Sequence, residues 1–145
     1  MKNILVSACL LGEPCRYDGK SKPCERVIAL KDTYNLIPIC PEVMGGLPTP
    51  RVPSEICGAH VMMKDGRDVT ENYNRGAQKA LAIARENACT VAILKEKSPS
   101  CGSGLIHNGS FDGGLVEGDG ITTLLLKQNG IRVLGESEIT ENFAL

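Results

Sequence analysis

The chain has 145 residues, 42% of them hydrophobic, which is long enough for one domain with a substantial core. A formal net charge of −1 gives no sign of a nucleic-acid-binding surface or a membrane patch. No apolar run reaches the ~18 residues that a membrane helix needs, and the opening segment turns polar too quickly for a secretion signal. We therefore expect a cytoplasmic protein that forms a single domain over 1–145.

Short apolar runs alternate with helical patterns, which is typical of an α/β domain. The run NILVSA at 3–8 predicts a strand buried on both faces. A helix is predicted over 22–34. A second strand follows over 36–40, and Pro38 favours a place at the edge of the sheet.

The middle of the chain predicts a hairpin and a long helix. The hairpin spans 60–70 and turns at Asp65-Gly66. The helix spans 70–88 with Thr70 as its cap. Its apolar stripe consists of Ala77, Ala80, Leu81 and Ile83.

The last third predicts a strand over 89–95, a helix over 120–130 that ends at Asn129-Gly130, and a strand over 131–135. Two long irregular segments remain, both rich in Gly, Pro and Ser, at 41–59 and 98–119. The predicted fold is three-layer α/β, Rossmann-like, with a mostly parallel sheet and long loops at the carboxyl ends of the strands.

Cysteine is unusually frequent for an intracellular chain of this length. An odd number in a reducing compartment favours metal, cluster or thiol chemistry over a framework of disulfides. The seven cysteines are Cys9, Cys15, Cys24, Cys40, Cys57, Cys89 and Cys101.

Three of these cysteines follow predicted strands. Cys9 comes after the first strand, Cys40 ends the second, and Cys101 lies shortly after 89–95. Open α/β sheets bind ligands in the crevice outside the carboxyl ends of their strands. If the three strands are neighbours, their loops bring the three thiols together.

The other four cysteines divide into two groups. Cys15 lies in the loop after the first strand and can reach the same crevice. Cys24, Cys57 and Cys89 are interpreted as packing residues, because free cysteine is among the most buried residue types.

Converging thiolates can hold zinc or an iron–sulfur cluster. Zinc sites usually show paired C-x₂-C ligands, and this chain has no C-x-x-C pair. The same absence weakens a thioredoxin-like interpretation. A cluster can gather its ligands from separate loops, and three thiolates around four irons leave one iron open as a Lewis acid.

Several polar residues stand close to the predicted thiol site in the sequence. Glu42 follows Cys40 by two residues and can transfer protons there. The proline-rich segment 45–55 carries Arg51, which can face an anionic group, and Glu55. Ser98 and Ser100 flank Pro99, and either can orient a substrate by hydrogen bonding. His60 and His107 are interpreted as structural, and the glycine-rich segment 103–114 lacks the pattern of a nucleotide P-loop.

Three blocks of the sequence resemble the signature blocks of a known bacterial family. They are SACLLGEPCRYDGKSK, CPEVMGGLPTPRVPSE and KEKSPSCGSG, in that order. The chain resembles the thiouracil desulfidase (TudS) family, formerly a domain of unknown function, in its short single-domain form.

The resemblance implies a [4Fe-4S] cluster held by Cys9, Cys40 and Cys101. It implies that Glu42 is the catalytic acid/base and that Ser98 assists it. Cys15 is a further candidate, either as a ligand in place of one of the others or as a nearby free thiol.

The implied reaction is a non-redox hydrolysis in which the C=S group of a thiolated pyrimidine becomes C=O and sulfide is released. Arg51 and Ser100 are the candidates for substrate binding. We expect a small-molecule substrate and no nucleic-acid partner, since the chain lacks a basic stripe. Two alternatives remain, a non-catalytic zinc- or cluster-binding module and a thiol redox protein.

Overall fold

The computed structural model describes all residues from 1 to 145. In chain order the helices and strands are β1 (Asn3–Ser7), α1 (Glu25–Ile28), β2 (Asn35–Ile39), α2 (Pro41–Met44), β3 (Ser54–Cys57), β4 (His60–Met63), α3 (Thr70–Glu86), β5 (Val91–Leu94), β6 (Leu105–His107), β7 (Leu115–Glu117), α4 (Ile121–Gln128) and β8 (Arg132–Gly135). Short 3₁₀ segments follow β1, α1 and β8, at Ala8–Leu11, Ala29–Asp32 and Glu136–Glu138.

A four-stranded sheet in the order β2-β1-β5-β8 forms the centre of the molecule, and all of its pairings are parallel. Residues alternate between the two faces of each strand, and both faces are covered. Leu5 and Leu94 pack against α3 and α4, whereas Val6 and Ile93 pack on the opposite side in a cluster with Val27 of α1. The predicted three-layer α/β fold with a parallel sheet is confirmed.

Most of the predicted strands and helices are present, and β2 lies at the edge of the sheet as Pro38 indicated. The predicted helix over 22–34 is much shorter. It begins at Glu25, changes to a 3₁₀ segment at Ala29, and has Val27 as its one fully buried residue. A segment this short gains little from helix propagation, so its tertiary contacts decide where it ends.

The predicted hairpin over 60–70 is only partly correct. The turn at Asp65-Gly66 forms, with the Met63 amide donating to the Arg67 carbonyl at 2.8 Å. Beyond one bridge between Met62 and Asp68, however, no ladder follows. The regular antiparallel pair is β3 with β4, joined at Gly58, whose φ of 62° suits glycine.

The start of α3 also differs from its prediction. Val69 occupies the cap position, and the Asp68 carboxylate accepts the Thr70 amide at 2.9 Å. The Thr70 hydroxyl instead accepts a hydrogen bond from the Val61 amide at 2.9 Å. Asp68 therefore performs the capping role expected of Thr70, and Thr70 ties the helix to β4.

The two segments expected to be irregular contain short elements, α2 and β3 in the first, β6 and β7 in the second. Of these, α2 matters most for the site because it directly follows Cys40. Its contact with α3 is so close that a Cβ atom at Gly45 would collide with the Asn72 carbonyl, and one at Gly76 with the Pro41 carbonyl. These two glycines let α2 rest on α3 and so fix the direction of the chain after β2. No helix of the structure is long and apolar enough to span a membrane.

Candidate thiol-rich active site

A cavity of about 410 Å³ lies at the carboxyl edge of the central sheet. It contains every residue that the sequence analysis proposed for the site, namely Cys9, Cys15, Cys40, Glu42, Arg51, Ser98, Ser100 and Cys101. The roles of these residues remain predictions, but the structure brings all of them to one place.

The strand order explains how three distant cysteines reach this cavity. Since β1 lies between β2 and β5, the chain leaves three adjacent parallel strands at the same edge. Cys9 lies in the 3₁₀ segment after β1, and Cys40 lies at the cap of α2 after β2. Cys101 lies in the loop after β5 and is 6% exposed.

Cys15 joins the same group of thiols. The contact of its thiol with Cys40 lowers the pKa of Cys15. Contact with Cys9 and burial both raise that pKa, and the net result is a pKa of about 11. Contact with Cys15, followed by burial, raises the pKa of Cys40 far above the usual thiol range. The Cys40 thiol also donates to the Cys15 carbonyl at 3.8 Å. Cys9, Cys15 and Cys40 are thus in direct contact, and the raised pKa values of Cys15 and Cys40 keep these two thiols protonated at neutral pH.

The loop that carries Cys101 is fixed by its own hydrogen bonds. The Cys101 amide donates to Ser98 Oγ at 2.7 Å, and its carbonyl accepts from Thr123 Oγ1 at 2.8 Å. Ser100 is buried and shares a 2.8 Å hydrogen bond with Thr122 of α4. Burial is the main reason why the pKa of the Cys101 thiol rises to about 12.

Glu42 and Arg51 form a charged pair on the cavity wall. Arg51 Nε and Nη2 donate to Glu42 Oε2 at 2.9 and 2.5 Å. The Glu42 side chain is 15% exposed, and the Arg51 side chain is 3% exposed. The rest of the guanidinium donates to the carbonyls of Cys15 and Pro48 and to the Thr49 hydroxyl. Arg51 therefore links the Glu42 carboxylate to the loop of Cys15, and its donors are engaged by the protein itself.

The remaining cysteines lie outside the cavity wall. Cys89 is in the core, Cys24 packs beside the cluster that contains Val27, and Cys57 contacts the Gly109 carbonyl at 3.3 Å. All seven cysteines are free thiols. This placement agrees with the packing role expected of Cys24, Cys57 and Cys89.

The two histidines differ in their surroundings. His60 Nδ1 lies 2.8 Å from a carboxylate oxygen of Asp68, and both side chains are exposed. His107 lines the cavity, although its Nδ1 is buried without a hydrogen-bond partner.

Besides Tyr17, which lies in the first of the three sequence blocks, two aromatic residues of the cavity were not anticipated. Tyr73 of α3 is buried beside Glu42, and burial is the main reason why its pKa lies well above the usual tyrosine value. Phe111 lines the cavity from the glycine-rich segment. Neither position carries a sequence signal that separates it from an ordinary packing residue.

The donor set fits an iron–sulfur cluster better than a single ion. No three Cys, His, Asp or Glu side chains surround one metal-ion position. A [4Fe-4S] cluster does not require such a point, because each thiolate binds a different iron. Thiols supplied by three separate loops around one cavity suit that larger group.

Comparison with known proteins assigns the class. The family model described as 2-thiouracil desulfurase matches residues 4–138. The chain therefore belongs to the 2-thiouracil desulfurase family, and the predicted resemblance is confirmed.

Two individual proteins are similar over nearly the whole chain. A solved structure described as the [4Fe-4S]-dependent thiouracil desulfidase TudS is 48% identical, with a TM-score of 0.91, and the match covers 96% of this chain and 93% of that one. The uncharacterized protein YbbK of Bacillus subtilis (strain 168) is 46% identical over 148 residues, or 95% of this chain and 98% of YbbK.

The Glu42–Arg51 pair makes a testable contribution to stability. We expect Arg51→Met to lower the free energy of unfolding by about 3 kcal/mol, because it leaves the Glu42 charge buried without its partner. In the Arg51→Met background, Glu42→Gln should then cost little, since it removes that uncompensated charge. Urea unfolding followed by circular dichroism measures this double-mutant cycle.

Arg67→Met provides the matched control, because Arg67 pairs with Asp65 at the surface. It should change stability little. Additive effects of Arg51→Met and Glu42→Gln would show that the pair is not coupled.

Proposed function

We propose that this protein is a [4Fe-4S]-dependent desulfidase that replaces the sulfur of a thiolated pyrimidine, thiouracil or its nucleotide, by oxygen. The convergence of four thiols and a carboxylate on one cavity carries this proposal. Membership of the 2-thiouracil desulfurase family and the description of the similar TudS structure support it.

Cys9, Cys40 and Cys101 are the proposed ligands, since each follows one of three adjacent strands. When bound, a cluster with three protein ligands supplies one open, thiophilic iron that polarises a C=S bond. Ligation requires the thiolate form, so Cys40 and Cys101, whose thiol pKa values are raised here, would release protons as the cluster binds. Cys15 is the adjacent free thiol in this assignment.

Glu42 is the proposed general base and acid. Both hydrogen bonds from Arg51 go to Oε2, so Arg51 does not occupy Oε1. Oε1 can take a proton from the attacking water and return it to the departing sulfur. Water thereby supplies the oxygen of the new C=O group, and its protons leave with the sulfide.

Ser98, in the loop that carries Cys101, is proposed to orient the substrate by a hydrogen bond. Its Oγ accepts the Cys101 amide, so its own O–H remains free to donate to a substrate. Ser100 and Arg51, the other substrate-binding candidates, already have protein partners. They therefore shape the cavity, whereas Ser98 retains a donor for the substrate.

The cavity wall also suits both proposed forms of the substrate. Lys64 and Lys97 line the cavity and form no ion pair. A nucleotide phosphate would find cationic partners there, and the free base needs none. We propose a small molecule rather than RNA, in keeping with the net charge of −1.

The ligand assignment predicts the metal content of single variants. Protein reconstituted without oxygen should be brown and hold about four iron and four sulfide ions per chain. Cys9→Ala, Cys40→Ala and Cys101→Ala should each lose most of that content, because a ligand is missing. Iron and sulfide analysis with visible spectroscopy measures the outcome.

Cys89→Ala is the matched control, since Cys89 is as buried as Cys9 and Cys101 but lies outside the cavity wall. It should keep the full cluster, and so should Cys15→Ala. Loss of iron in Cys15→Ala with retention in one of the other three would transfer the ligand role to Cys15. A colourless wild-type protein would contradict the proposal as a whole.

Glu42→Gln separates chemistry from cluster binding. The amide keeps the shape of the side chain but cannot accept the proton of water, so kcat should fall about 10²–10⁴-fold. Iron content and the visible spectrum should remain as in the wild type. Sulfide release from 2-thiouracil measures the rate, with the exposed Glu25→Gln as control. Unchanged kcat in Glu42→Gln would remove Glu42 from the mechanism.

A further inference from the structure

The glycine-rich segment 103–114 contains none of the residues proposed as cluster ligands or as proton-transfer groups. It contains β6, which forms a small antiparallel pair with the following strand β7, separate from the central sheet. The loop between them brings Phe111 to the cavity wall. The cavity that contains the thiols is therefore bounded on one side by this loop.

A buried carboxylate holds the loop in place. Glu55 of β3 is 8% exposed and forms no ion pair. Its Oε1 accepts the amides of Gly109 at 2.9 Å and Phe111 at 3.2 Å. Burying an unpaired charge is costly unless hydrogen bonds compensate it. The Glu55 carboxylate therefore acts as a hydrogen-bond acceptor for the backbone of this loop.

The backbone of Phe111 is held in an unfavourable conformation. Its φ of 53° lies in the left-handed region, where a bulky side chain is uncommon. Such conformations persist where the surrounding structure enforces them, and they concentrate at functional sites. Here the hydrogen bond from the Phe111 amide to the Glu55 carboxylate holds the backbone in this conformation. The Phe111 side chain is thereby placed at the cavity wall.

Among the aromatic residues of the cavity, Phe111 has the ring with the fewest interactions with other side chains. The Tyr17 ring carries the Arg16 guanidinium 5.8 Å from its centroid, and Tyr73 is buried beside Glu42. The one close pair of aromatic rings, Tyr34 with Phe143, lies elsewhere in the fold. Phe111 is half-buried and has neither an aromatic nor a cationic partner.

We propose that Phe111 provides the stacking surface for the pyrimidine ring of the substrate and that Glu55 is the positioning residue that sets it. This inference rests on the proposed function, because it assigns the ring-binding wall of the same cavity. A planar heterocycle gains affinity by stacking on an aromatic ring whichever polar groups it carries. Phe111 thereby selects a heterocyclic substrate.

Phe111→Leu tests the stacking role, because leucine keeps the apolar volume but lacks the ring. In the reconstituted enzyme it should raise KM for 2-thiouracil about tenfold, the effect expected from the loss of one base–aromatic stack. The kcat should stay within about twofold of wild type, since binding and not chemistry is changed. Phe111→Tyr, which retains an aromatic ring, should have the same KM as the wild type.

The matched control is Phe143→Leu, which removes the other phenylalanine of the chain, away from the cavity. It should leave KM unchanged. Thermal unfolding adds a second readout. Phe111→Gly should melt at a higher temperature than Phe111→Leu, because both lack the ring but only glycine adopts the positive φ without strain.

The role of Glu55 is tested through Phe111. Glu55→Met, which keeps the length of the side chain but has no acceptor for the Gly109 and Phe111 amides, should raise KM in the wild-type background and have no further effect on KM in the Phe111→Leu background. An independent rise of KM in both backgrounds would reject the positioning role.

The failure of this proposal can be told apart from the failure of the proposed function. If the wild-type enzyme releases sulfide from 2-thiouracil and Phe111→Leu has the same KM, only the stacking role is wrong. If the reconstituted wild type releases none, the proposed function fails and the inference fails with it.

Discussion

The parallel pairing of β1 with both β2 and β5 is the constraint on which the site depends. Parallel strands deliver their carboxyl ends to one edge, so residues distant in sequence meet there. Cys9, Cys40 and Cys101 are separated by dozens of residues, yet each follows one of these three strands. Any rearrangement of the sheet order would therefore separate the thiols.

The charged groups of the cavity depend on the same edge. The close contact of α2 with α3, which Gly45 and Gly76 permit, directs the chain after β2 and places Glu42 on the cavity wall. Arg51 then joins Glu42 to the Cys15 carbonyl, which also accepts the Cys40 thiol. The proposed proton-transfer group and the proposed ligand loops therefore share one hydrogen-bonded unit, so a displacement of either is transmitted to the other.

The sequence predicted those features that depend on local pattern. Apolar runs located β1 and β5, and the apolar stripe located α3, but such runs do not specify which strands are neighbours. The sequence therefore predicts that the thiols converge only if β1, β2 and β5 are neighbours, and the sheet order meets this condition. The hairpin was misplaced because Asp65-Gly66 is a stronger turn signal than Gly58-Ala59. The partners of Arg51 and the positive φ of Phe111 arise from tertiary contacts, which no local pattern encodes.

The reaction proposed for this cavity is the hydrolysis of a C=S bond with water as the source of oxygen. The most direct test is to incubate the protein, reconstituted without oxygen, with 2-thiouracil in ¹⁸O-labelled water. Mass spectrometry of the product and quantification of sulfide then report both halves of the reaction. We predict uracil with one ¹⁸O atom and an equal amount of sulfide. Uracil without the label, or product formed without sulfide, would contradict the account.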